Sequence, residues 1–280
     1  MPNQSIFRDG LFEGQVIMVS GGGTGIGRAI TLELAVLGAT VVICSRSEEH
    51  LEPTRREVEA AGGQAYALLC NIRDEEQVKA TVNEVITRFG RLDALVNNAG
   101  GQFASPAEAI SSKGWNAVID TNLTGTFYMS RAAMQGWMKE HGGAIVNIVA
   151  EMWRGFPNMA HTGAARAGVV NLTQSLALEW AQYAIRVNAV APGVINSSGL
   201  KSYPPPIQAM LKTIAREIPA GRLGSESEVA ASVAFLLSPA AAFISGETLK
   251  VDGAGSLYRL QGYVIPEHPA WTAYDPAEHE

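Results

Sequence analysis

A short apolar run, Val16-Ile-Met-Val-Ser20, passes directly into Gly21-Gly-Gly-Thr-Gly-Ile-Gly27 and from there into a segment of helical period. No other feature of the chain restricts its fold so strongly. Gly21 permits a tight turn out of a strand, Gly25 lets the backbone come close to a pyrophosphate, and Gly27 lets the helix pack against the strand. The helix N-terminus that follows, with Ile26 in its first turn, offers unpaired N–H groups to a phosphate. A glycine turn alone is a weak signal. After the first strand of an alternating chain it predicts a nucleotide-binding βα unit.

Alternation is what the rest of the chain shows. Apolar, β-rich runs predict strands over Gln15–Ser20, Thr40–Ser45, Gln64–Asn71, Ala94–Asn97, Ala144–Val149, Arg186–Ala191 and Thr248–Val251. Helical periods predict Ile26–Leu37, Glu48–Ala61, Glu75–Phe89, a long element over Ser112–Lys139, Ala164–Ala181 and Glu226–Leu237. The fold class expected is α/β, a doubly wound parallel sheet of about seven strands with helices on both faces. The 280 residues, 47% of them apolar, suit a single domain over 1–280 with its core at about 14–255. Two stretches leave the pattern. Residues 196–219, with Pro204, Pro205 and Pro206, read as a mobile substrate-side excursion, and 257–280 as a C-terminal tail on a surface or a partner.

A net charge of −6 argues against a nucleic-acid partner. The longest apolar runs are too short to span a membrane, and the N-terminus lacks the charged and apolar regions of an export signal. Cys44 and Cys70 sit in strand-like runs and read as reduced core thiols. A cytoplasmic protein without a metal site is expected.

The second strand ends in Ser45-Arg46. A strand that selects NAD ends in a carboxylate for the ribose 2′-hydroxyl, and that carboxylate repels a 2′-phosphate. A hydroxyl followed by a guanidinium accepts the phosphate, so the cofactor expected is NADP(H). Thr24 is not basic, so the glycine turn itself supplies no second cation. Further motifs are Asn97-Asn-Ala-Gly100 after the fourth strand, Asn122 in DTNLTG, and Pro192-Gly-Val-Ile195 after the sixth strand. With the GGGTGIG spacing, these resemble the short-chain dehydrogenase/reductase family over about residues 14–255. The resemblance implies a Rossmann-like fold. It places Asn98, Ala99 and Gly100 along the adenosine side and Asn71 and Ile72 at the adenine edge. Pro192, Gly193, Val194 and Ile195 lie near the nicotinamide carboxamide, with Ser197 at a usual Thr position. The backbone of Asn122 helps to hold a proton-relay water.

Residues 160–168, AHTGAARAG, depart from that family. Its Tyr and Lys positions hold Thr162 and Arg166, and its Ser position holds Val149. Arg166 can still bond ribose hydroxyls, but guanidinium and an unaided threonine are poor proton donors. Reduction of a carbon–carbon double bond conjugated to a thioester needs no alkoxide protonated. It needs donors for an enolate. Residues 100–130, 137–148, 161–181 and Pro266–Trp271 resemble the peroxisomal-type trans-2-enoyl-CoA reductases, which implies NADPH-dependent reduction of a 2-enoyl-CoA by a homotetramer. Val170 stands where those relatives carry a Tyr. Alternatives are a 2,4-dienoyl-CoA reductase, another short-chain oxidoreductase with His161 replacing Tyr, and a catalytically inactive NADP(H)-binding module. His161 is the titratable side chain nearest the vacant position. Glu151, Trp153 and Tyr203 are candidates for the acyl site, and Lys201, Lys212 and Arg216 for CoA phosphates. Tyr128 reads as packing and Glu75 with Lys79 as an i,i+4 helix pair.

Overall fold

Seven strands run parallel in the order β3-β2-β1-β4-β5-β6-β7. They are β1 (Val16–Ser20), β2 (Thr40–Ser45), β3 (Gln64–Leu69), β4 (Ala94–Asn97), β5 (Gly143–Ile148), β6 (Ile185–Pro192) and β7 (Thr248–Val251). The computed structural model describes residues 5–197, 211, 213–258 and 265–276. Side chains along β1 alternate between two apolar layers. Ile17 and Val19 face α1 (Gly25–Val36), α2 (Glu48–Ala60) and a late helix over Glu226–Leu237. Val16 and Met18 face α3 (Glu75–Phe89) and the helices that follow β4 and β5. Burial on both faces explains why these strands are nearly all apolar. Each fully buried Ile or Leu contributes about 1.5–3 kcal/mol.

The expected elements are present, with three informative differences. β3 ends at Leu69 rather than Asn71, because the Asn71 carbonyl and side chain accept from the N–H groups of Asp74 and Arg73 in an Asx-type turn. The long central element is one rod of α4 (Ser112–Ile119), α5 (Gly125–Ala133) and α6 (Lys139–His141), joined through π-helical turns at Asp120–Thr124 and Met134–Met138. The next helix, α7 (Ala160–Glu179), starts four residues before the expected Ala164, since Met159 C=O already accepts from the N–H groups of Thr162 and Gly163. That earlier start takes His161 and Thr162 into the first helical turn.

Residues 265–276 lie against this chain's own last helix, α8 (Glu226–Leu237). Arg222 pairs with Glu228 and donates to the carbonyls of Trp271 and Thr272, while Ser225 caps α8 and donates to Tyr274 C=O. Among the described residues, no helix is long and apolar enough to cross a membrane. Tyr203, Lys201 and Lys212 lie outside the described residues.

A buried polar ladder ties the sheet to its helices. Asn97 Nδ2 donates to Ser130 Oγ at 2.9 Å and to Asn147 Oδ1 at 2.8 Å, and Asn147 Nδ2 donates to Thr173 Oγ1 at 2.9 Å. β4 and β5 are thereby joined to α5 and α7. Replacing Asn147 with Ala removes two of these bonds and leaves buried groups unpaired, so denaturant unfolding should show a loss of about 2 kcal/mol.

Candidate active site

The chain leaves β1 toward β2 on one side of the sheet and later returns to β4 on the other. This reversal opens a crevice at the carboxyl ends of the two strands. A cleft of about 630 Å³ occupies it. Its floor is a close approach of backbones. Ser20 Oγ accepts from the N–H groups of Asn98 and Ala99, both at 3.1 Å, and Asn98 Nδ2 donates to the carbonyls of Ser20 (3.2 Å) and Gly21 (3.0 Å). Gly21 sits at φ +66°, and a Cβ on Gly27 would overlap the Gly21 carbonyl. Helix α1 starts at Gly25 with no side-chain cap from Thr24 and no acid in its first turn, whereas Asp74 caps α3. The open N–H groups and the cradle of Gly21, Gly25 and Gly27 fit a dinucleotide pyrophosphate.

The same cleft is lined at the ends of β2 and β3 by Ser45, Arg46, Asn71 and Ile72, the residues expected around an adenosine. Ser45 differs from expectation in its role. Its hydroxyl donates to Ser47 C=O at 2.8 Å and accepts from Ser47 N–H at 3.2 Å, so its proton shapes the turn and is not free for a phosphate. Arg46 is exposed at the cleft edge. Arg73 and His50, which sequence reasoning passed over, line this end too. The available signal for Arg73 was its position just past Asn71-Ile72, in the turn that follows β3.

A second cleft, about 660 Å³, shares Ile26, Asn98, Gly100 and Ser197 with the first, so the two form one trough. Its walls include Val149, Ala150, Phe156, Met159 and Val194, with Pro192, Gly193 and Ile195 alongside. Arg166 also lines it. One guanidinium nitrogen donates to Ile148 C=O at 2.7 Å, and the other end lies against Gly100, where a Cβ would collide with it. Nε is buried without a partner among the described residues. Burial lowers the Arg166 pKa to about 10, which leaves it charged at neutral pH.

Asn122 is fully buried at the centre of the π-helical turn Asp120–Thr124. Its Nδ2 donates to Gly101 C=O at 2.7 Å and Val118 C=O at 2.8 Å, and its Oδ1 accepts from Gly101 N–H at 3.3 Å. Its backbone carbonyl accepts the Thr126 hydroxyl at 2.9 Å. The side chain therefore clamps the Gly100–Gly101 loop against Arg166, and Asn122 is a positioning residue. A π-helical turn frees the carbonyls that such a clamp needs.

His161 and Thr162 are fully buried, and neither lines the trough. His161 Nδ1 accepts from Thr162 N–H at 2.8 Å, and Nε2 is buried without a partner among the described residues. The Phe103 ring stands edge-on to the imidazole at 4.5 Å. Inside the first turn of α7 both side chains turn into the protein, and threonine is too short to reach the space of the Tyr it replaces. Glu151 lies in an adjoining cavity of about 220 Å³ with Arg154 and Ser256, which shares Gly193 and Val194 with the second cleft. Trp153 is exposed and carries the Lys250 ammonium over its ring at 4.2 Å. Neither of these two candidates lines the larger cleft. Arg216 is exposed on a helical stretch over 213–217. Tyr128 packs against the core, and Glu75 pairs with both Lys79 and Arg131, at 2.7 Å each.

Residues 21–255 match the family described as Enoyl-(Acyl carrier protein) reductase. The chain belongs to this family of short-chain dehydrogenases/reductases. A probable 2,4-dienoyl-CoA reductase of Bacillus subtilis (strain 168) is 39% identical over 86% of this chain and 96% of its own length. A peroxisomal 2,4-dienoyl-CoA reductase of Rattus norvegicus is 38% identical over 89% of this chain and 86% of its own. A solved structure of the citronellol catabolism dehydrogenase AtuB of Pseudomonas aeruginosa PAO1 superposes with a TM-score of 0.82 at 47% identity, over 90% of this chain and 99% of that one. This short-chain reductase is thus an oxidoreductase of a family that binds a nicotinamide cofactor. Substituting Gly27 with Ala forces a methyl group onto the Gly21 carbonyl. Fluorescence titration should show binding of reduced nicotinamide cofactor falling by at least about tenfold, the equivalent of 1.4 kcal/mol.

Proposed function

We propose that this short-chain reductase uses NADPH to reduce the 2,3 double bond of a trans-2-enoyl-CoA. The observation that carries the reading is Arg166, a half-buried guanidinium without a carboxylate partner among the described residues, on the wall of a largely apolar cleft. When bound, the cofactor supplies a hydride to the β-carbon of the conjugated thioester, and negative charge then collects on the thioester oxygen. The chain's own residues serve that charge. Arg166 offers a fixed positive field on the wall of a cleft of low polarity, where such a charge acts most strongly. Asn122 holds the Gly100–Gly101 loop that seats the guanidinium. Val149, Ala150, Phe156 and Met159 exclude water from an apolar acyl chain. Ketone reduction is poorly served, because Val149 offers no hydrogen bond and the Thr162 hydroxyl is buried off the cleft. Water is the proton source for the α-carbon in this reading.

A second reading, reduction of a 2,4-dienoyl-CoA, is favoured by the names of the two curated relatives. The same cation serves a dienolate, whose charge also rests on the thioester oxygen. The name of the AtuB relative favours a methyl-branched acyl chain within either reading.

NADPH is preferred to NADH because Arg46 and Arg73 flank the adenosine end and no carboxylate lines it. Arg46→Glu should weaken NADPH binding by about 10–100-fold, the scale of one charge-assisted hydrogen bond, while NADH binding changes little; equal losses for both cofactors would sink this selectivity.

NADPH oxidation measured with crotonyl-, hexenoyl-, decenoyl- and 2,4-hexadienoyl-CoA tests the reaction. Turnover is expected on enoyl thioesters, and Arg166→Met should lower kcat by about 10²–10³-fold, with Arg166→Lys recovering part of it. Absence of turnover on every thioester, with NADPH bound, overturns the proposal.

A further inference from the structure

Two loops build the outer part of the reaction-side cleft, and they join. Ile26, Asn98, Gly100 and Ser197 mark the end that this cleft shares with the cofactor cleft. From Gly100 the loop after β4 runs along the cleft past Gln102 and Ala104, and the loop after β5 brings Phe156, Pro157 and Asn158 to it. At the next residue of the first loop, Ser105 N–H donates to Asn158 C=O at 2.7 Å. The bridge closes the cleft away from the residues shared with the cofactor cleft.

Phe156 carries the one aromatic ring among the described residues of this cleft's wall. Turns hold its backbone on both sides. Gly155, at φ +79°, donates its N–H to Met152 C=O at 3.0 Å, and Phe156 C=O accepts from Met159 N–H at 3.0 Å. Asn158 in the second turn sits at φ +61°, a left-handed conformation that asparagine tolerates. Gly163, in the first turn of α7, lies directly beneath the ring's stem. A Cβ there would stand 2.9 Å from Phe156 Cβ, so the bare helix backbone is the seat of the loop. The other loop is seated in the same way. A Cβ on Gly114 of α4 would stand 2.9 Å from Phe103 Cζ, and the Phe103 ring also meets His161 of α7. Each loop thus rests an aromatic residue on a glycine of a core-packed helix, and the bridge ties the two together. A ring fixed on such a backbone has little freedom to yield to a ligand.

We propose that Phe156 is the stop that limits acyl chain length in this cleft, held in place by the Ser105–Asn158 bridge and by its seat on Gly163. The proposal rests on the acyl reading of the cleft given above. Each methylene that enters the apolar space adds binding until the chain meets the ring. The next methylene must then displace Phe156, and with it a turn, the bridge or the start of α7, and it gains nothing. Chain length is therefore set by one side chain on a braced loop, while Arg166, on the body of α7, is left out of the selection.

Binding of saturated straight-chain acyl-CoAs, from butanoyl to hexadecanoyl, is measured by calorimetry on the full chain with NADP+ present, and NADPH oxidation is followed with the matching 2-enoyl-CoAs. Affinity should rise by up to about fourfold per methylene and stop rising at one chain length, the break. Phe156→Ala should move the break to longer chains by about two methylenes or more, so that the first chains past the original break gain about tenfold. Phe156→Trp should move it to shorter chains. A purely structural role for Phe156 would weaken every chain alike and leave the break where it is. Affinity that rises without a break, or a break at the same length in all three proteins, overturns the proposal. A break that follows residue 156 without NADPH oxidation on any enoyl thioester overturns the reduction reading and leaves the stop standing. Absence of binding by every acyl-CoA overturns both.

Discussion

The site depends on how closely the glycine turn after β1 approaches the end of β4. The Asn98 side chain bridges the carbonyls of Ser20 and Gly21, and Ser20 Oγ returns the contact to the N–H groups of Asn98 and Ala99. With that interval closed, Gly27 has no room for a side chain, and α1 must leave with its uncapped N-terminus aimed across the crevice. An anion-binding end results from sterics and unpaired N–H groups, without a basic residue in the turn.

The second half of the trough is organised around a buried charge. Burying a cation without a partner is costly, and such groups persist where a ligand completes them. Arg166 is held by one carbonyl at β5, by the absence of a side chain at Gly100, and by Asn122 behind the loop. The π-helical turn at Asp120–Thr124 lies where that clamp is needed. The two clefts thus meet at a single loop, Gly100–Gly101, with Asn98 two residues before it.

Much of this was legible in the residues. Apolar runs alternating with helical periods are enough to derive a doubly wound parallel sheet, because strands covered on both faces have few polar positions. Glycine spacing located the close approach of backbones after β1, since the need for small residues there is local. The π-helical turns were not legible, because the 3.6-residue pattern continues through them and only the freed carbonyls differ. Nor was the true role of Ser45, whose hydroxyl is taken by the turn it starts. Arg73 escaped notice because it reaches the cleft from the turn after β3, not through any motif of its own.

The sequence by itself determined the layer architecture, the nucleotide crevice and the replacement of the family's Tyr and Lys by Thr162 and Arg166. These follow from periodicity and from residue identity at known spacings. Only the tertiary structure decided where the replacements point. Starting α7 at Ala160 turns His161 and Thr162 into the protein, while Arg166, one turn further on, reaches back under Gly100 to the cleft. Helix phase and the space left by neighbouring side chains set which polar group faces a ligand, and both depend on residues far away in the chain.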